Sequence, residues 1–137
     1  MNWLNLQKQI QNLGFETSSV LTDDDYKDII IDASNRAVEV IRQTVVARFE
    51  DYFTDYFDIE TGNLNDIISI DIDTDDDFDI EIPNKLLVLV PLLASHYVWL
   101  DDDIEKAVTY WNEYDSLKNE LMSDCTRPRN VKFSGGI

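Results

Sequence analysis

The side chains most able to do chemistry are acids. In DIDTDDDFDIEIP (71–83), Asp71, Asp73, Asp75, Asp76, Asp77, Asp79 and Glu81 stand together without one basic residue. Carboxylates this dense suit a hard cation, a solvated surface or a basic partner. A calcium loop of the EF-hand type also needs glycine at its sixth position and a bidentate glutamate at its twelfth. Starting at Asp71 places Asp76 and Ile82 there; starting at Asp73 places Phe78 and Asn84. Neither register works, so no metal site is expected.

The remaining candidates are single residues. His96 stands alone beside Tyr97 and Trp99 in an apolar run, where a packed, hydrogen-bonded histidine is expected rather than a base or ligand. Cys125 has no second cysteine to pair with, which fits a reducing compartment. No phosphate-binding glycine loop, nucleophile elbow or HExxH pattern occurs. The expectation is a protein that is not an enzyme and uses no cofactor.

The elements that carry these residues follow from hydrophobic period. Trp3, Leu4, Leu6, Ile10 and Leu13 predict a short amphipathic helix stopped at Gly14. Thr22 with Asp25, after Asp23 and Asp24, predicts the start of a long helix. Its apolar face runs through Tyr26, Ile29, Ile30, Ala33, Ala37, Val40, Ile41, Thr44 and Val45. Phe49, Phe53 and Phe57 prolong that face, with Tyr52 and Tyr56 beside it, as core or as a subunit interface.

Gly62 and Asn63 break the pattern, after which the period becomes two: Ile68, Ile70 and Ile72, then Phe78, Ile80 and Ile82. An acidic β-hairpin over about 66–83 is therefore expected, closed by Pro83. Asn84 is placed to cap a helix over 86–100 that is apolar nearly all round, with Pro91 in its first turns or at a kink. Asp101, Asp102 and Asp103 then open a last helix with Ile104, Ala107, Val108, Trp111, Tyr114, Leu117 and Leu121 on one face. The fold class expected is mainly α: a bundle of three to four helices over 1–122 with the hairpin inserted.

From residue 123 the helical pattern stops, and 123–137 is expected to be an extended tail. It holds Arg127, Arg129 and Lys132 around Val131 and Phe133, with no acid after Asp124. The 137 residues, 44% of them apolar, fit one domain with a core. The net charge of −17, from 28 acids and 11 bases, argues against binding phosphate backbones. The longest apolar run, at 86–94, is too short for a bilayer, and no targeting pattern opens the chain, so a soluble protein made in a cytosol is expected.

Two stretches carry a family likeness. TDDDYKDIIIDASNRAVEVI (22–41) and IPNKLLVLVPLLASHYVWLDDDIEKAVTYWNEYDSLKNEL (82–121) resemble the head-tail connector, or adaptor, proteins of tailed bacteriophages. The resemblance implies a helical subunit of a homo-oligomeric ring, commonly dodecameric, at the head-tail junction of the virion and assembled in the host cytoplasm. Such a ring docks on the portal protein, extends the channel for genomic DNA without sequence-specific binding, and seats a stopper or tail-completion protein. It assigns portal docking to the tail of Arg127, Arg129, Val131, Lys132 and Phe133. The hairpin, longer and more acidic than the family pattern, would face either the channel or a docking partner. Two alternatives stay open on the residues alone: an acidic DNA mimic or regulator that binds a basic partner, and a divalent-metal module.

Overall fold

The computed structural model describes residues 1–14 and 24–126. Among them are the helices α1 (Trp3–Gly14), α2 (Asp24–Thr44), α3 (Leu89–Trp99) and α4 (Ile104–Thr126). Tight 3-10 turns occupy Val46–Phe49, Thr54–Tyr56 and Asn84–Leu86. The architecture is mainly helical, and no described residue belongs to a strand.

α3 is the central element, packed against α1, α2 and α4. It has no polar face to offer water, so its neighbours must surround it. Leu89, Val90, Leu93 and Ala94 are fully buried. Pro91 falls in the first turn, one of the two places expected for it, where a missing N–H leaves no intrahelical bond unmade. Asn84 does not cap this helix as expected: it opens the preceding 3-10 turn, and Val88 occupies the N-cap position without a side-chain cap. The turn instead feeds backbone acceptors forward, from Leu87 O to Val90 N at 3.1 Å.

Two other helix starts are capped by side chains. Asn2 Oδ1 accepts the Asn5 N–H at 2.9 Å, closing the first turn of α1. Asp103 Oδ1 accepts the Lys106 N–H at 3.1 Å and the Asp103 carbonyl takes Ala107 N at 3.0 Å, so the acids at 101–103 do open α4. Asp103→Ala is expected to cost about 1 kcal/mol in urea denaturation, while Asp102→Ala stays within about 0.5 kcal/mol.

α2 ends earlier than its pattern suggests. Thr44, Val45 and Val46 are consecutive β-branched residues, and Thr44 Oγ1 donates back to the Val40 carbonyl at 2.7 Å. The chain passes into 3-10 turns, so Phe49, Phe53 and Phe57 do not prolong one helical face. They still reach the core: Phe53 is buried, and Phe49, Tyr52, Tyr56 and Phe57 pack against it. The Thr22 cap lies outside the described residues. At the other end of the chain, α4 continues to Thr126, past the expected boundary at 123, and Asp124 pairs with Lys85 at 3.6 Å.

The C-terminal end of α1 is held by three groups. Lys106 Nζ donates to the Gly14 carbonyl at 2.6 Å and lies 3.9 Å from the centre of the Trp99 ring. The Tyr110 hydroxyl donates to the Leu13 carbonyl. Gly14 is needed because a Cβ there would overlap Trp99 Nε1 and sit 2.9 Å from Cε2 of the same rigid indole. Gly14→Ala is expected to cost about 1–3 kcal/mol of stability, read by denaturant midpoint, despite alanine's better helix propensity.

Candidate functional site

The acidic segment was expected to be a hairpin and is not. A hairpin closed by a turn over 73–77 would set Asp71 opposite Asp79, and like charges directly opposite destabilise a strand pair. The chain finds other partners for the same backbone groups. Asn35 of α2 acts as a strand substitute: its side-chain oxygen accepts Ile70 N–H at 2.8 Å and its amide donates to Ile70 O at 2.8 Å. The start of the chain does the same on the other side. Trp3 N–H donates to Phe78 O at 2.8 Å, Leu4 N–H to Asp76 O at 3.0 Å, and Ile80 N–H to Met1 O at 3.0 Å.

This changes which isoleucines are inside. Ile70, Ile80 and Ile82 are buried, whereas Ile68 and Ile72, expected on the same face as Ile70, stand 71% and 54% exposed. Between them the acids build turns. Asp71 Oδ1 accepts the Asp73 N–H at 2.8 Å, Asp71 N–H donates to Thr74 Oγ1 at 2.8 Å, and Phe78 N–H to Asp75 O at 3.1 Å. Asp71, Asp73, Asp75, Asp76, Asp77 and Asp79 are exposed and Glu81 is half-buried. They form a surface without converging: among the described residues no three His, Cys, Asp or Glu side chains could hold a metal ion together.

Arg42 ties this surface to α2. Its side chain is buried and forks between two carbonyls, Asn65 O and Glu81 O, the latter at 3.4 Å. Burial lowers its pKa, and the nearby Glu81, Tyr56 and Asp66 push it back up. Beside it lies an open cleft of ≈ 360 Å³ lined by Glu39, Arg42, Gln43, Asn65 and Asp66 among others. Two isolated antiparallel bridges occur here, Asn2 with Asp79 and, nearby, Phe57 with Leu64, the latter around a turn in which Asp58 Oδ1 accepts Glu60 N–H at 2.7 Å and Gly62 takes φ 73°.

No protein-family model, curated protein or solved structure matches this chain. The site must therefore be read from its own geometry.

His96 fits the packed reading: Nδ1–H donates to the Ala107 carbonyl at 2.8 Å, joining α3 to α4, and its ring lies 5.3 Å from Trp111. Arg127, Arg129, Val131, Lys132 and Phe133, assigned to partner docking, lie outside the described residues. Sequence reasoning missed Asn35 and Arg42. Their spacing of seven, on the helical face shared by Ile31 and Val38, was the available signal: polar groups on a half-buried stripe need partners.

A second surface was not foreseen either. Ile104, Val108 and Trp111 were expected on the buried face of α4, but they stand 59%, 46% and 38% exposed. Ala107 and Tyr114, expected on that face, are buried, and Leu117 and Leu121 pack on the core; Tyr110, which was not expected there, completes the seam, which lies one position around the helix from the exposed three. Through Trp111, His96 and Tyr97, whose rings are 5.3 and 5.1 Å apart in turn, the exposed stripe reaches a groove lined by Ile29, Asp32, Arg36, Tyr97 and Asp101.

Proposed function

We propose that this chain is a structural subunit of a tailed-phage head-tail connector. It docks on the portal, forms a homo-oligomeric ring around the DNA channel and offers a platform to the stopper or tail. One observation carries most of this reading: the two stretches that resemble the family coincide with packed parts of the bundle. Residues 24–41 lie in α2, and 82–121 supply α3, most of α4 and the Asp103-capped corner between them. The acidic surface adds support, because a bore lined by fixed carboxylates repels passing DNA and keeps it from sticking.

The test is co-sedimentation of the full chain with isolated portal, together with particle assembly by a phage carrying a deletion of 126–137. Binding by the full chain and failed assembly by the deletion are expected. No co-sedimentation, with assembly intact after the deletion, would overturn the reading.

A second reading is an acidic DNA mimic. It is favoured by the ordered display of Asp71 to Asp79 on a segment fastened by Asn35, Arg42 and the first residues of α1. A mimic's grip on a basic partner would collapse in high salt, whereas apolar contacts in a ring would survive it.

A further inference from the structure

The stripe of Ile104, Val108 and Trp111 is apolar at its centre and acidic around it. Asp32 and Asp101 line the adjoining groove, and Asp102, Asp103 and Glu105 are exposed at the same end of α4. Arg36, which lines the groove, and Lys106, on the same turn of α4, are already engaged: Arg36 lies 4.3 Å over the Tyr97 ring, and Lys106 bonds the Gly14 carbonyl. A ligand for this surface needs positive charge with a few apolar side chains between.

One stretch of the chain has that composition. After Thr126 come Arg127, Arg129 and Lys132 with Val131 and Phe133 and no acid, in a chain otherwise dominated by acids. Reach decides whose surface it meets. Lys132, the farthest of these cations, lies six residues beyond Thr126 and extends about 20 Å at most. Glu105, the nearest of the rim acids along α4, lies 21 residues back, about 32 Å along the helix. The cations of one copy could therefore approach the acids of the same copy only with the segment stretched to its full length back along α4, whereas a second copy presents the same rim without that stretch.

We infer that the segment 127–137 of one molecule docks on the acid-rimmed stripe of a second copy, giving head-to-tail association. The inference does not rest on the connector reading and would hold for any assembly built from this chain. Where the portal also takes this segment, the two partners compete for it.

The experiment is sedimentation velocity on the full chain over a range of concentrations. It compares the wild type, a tail reversal (Arg127→Glu, Arg129→Glu, Lys132→Glu) and a rim reversal (Asp32→Lys, Asp101→Lys, Asp102→Lys), each checked for helicity by circular dichroism. The wild type is expected to associate with rising concentration, and each reversal to weaken this by about tenfold or more. Mixing the two reversals is expected to restore association, since the acidic tail of one then meets the basic rim of the other. Val108→Asp should weaken association as well, leaving helicity unchanged. A wild type that stays monomeric throughout, association indifferent to the tail reversal, or a mixture that fails to associate would each overturn the inference. A monomeric chain that still co-sediments with portal would overturn it while leaving the connector reading intact.

Discussion

Replacing Trp3 with alanine is expected to remove about 3–5 kcal/mol of stability, the range for large aromatic deletions from cores. For a domain whose whole stability is of the order of 5–15 kcal/mol, that is a large share. Trp3 is only 2% exposed. It stands at the first residue of α1, capped by Asn2, and its own N–H holds Phe78 O at 2.8 Å. The indole thus belongs to the hydrophobic core while its own backbone fastens the acidic segment, so its loss leaves a cavity beneath the residue that joins the two. Urea denaturation followed by circular dichroism reads the change, and hydrogen exchange locates it. Faster exchange at the amides of Phe78 and Ile80, along with those of α1, is expected. Trp111→Ala is the matching comparison: at 38% exposed, with its ring against His96 and Tyr114 on one side only, the same deletion should cost less, about 1–2 kcal/mol. Equal losses at Trp3 and Trp111 would contradict the packing described.

α1, α3 and α4 were legible because each is governed by one strong local signal. α1 has a three-and-four apolar rhythm, α3 has no polar face, and α4 begins at a run of aspartates that supplies its cap. The misses share a cause. Period identifies an apolar residue's direction on its own element, but not what covers it. α4 carries two adjacent apolar stripes, and the choice between them falls to long-range bonds: His96 to the Ala107 carbonyl and Tyr110 to the Leu13 carbonyl. These rotate Ala107, Tyr110 and Tyr114 inward and leave Val108 and Trp111 outside. The acidic segment failed as a hairpin for a similar reason. Its alternation was real, but pairing it with itself opposes Asp71 to Asp79, whereas Asn35 and the first residues of the chain supply the same hydrogen bonds without that repulsion.

Arg42→Leu is expected to cost about 2–4 kcal/mol and to loosen the segment from Asn65 to Glu81. The arginine is 4% exposed, and its two forks are made to main-chain carbonyls 16 residues apart, so it fastens both ends of the acidic stretch to α2. Leucine fills part of the volume but leaves Asn65 O and Glu81 O without this donor. Arg42→Lys should recover little, because a single ammonium cannot reproduce the planar fork. Salt separates this anchor from the charge it restrains. Raising ionic strength from about 0.05 to about 0.5 M should stabilise the wild type, since exposed carboxylates at net charge −17 repel one another and are screened. The gap between wild type and Arg42→Leu should persist across that range, because buried bonds to neutral carbonyls are little affected by screening. If added salt instead closed the gap, Arg42 would be acting as a counter-charge to the surface acids, and the segment would be held by its field rather than by its geometry.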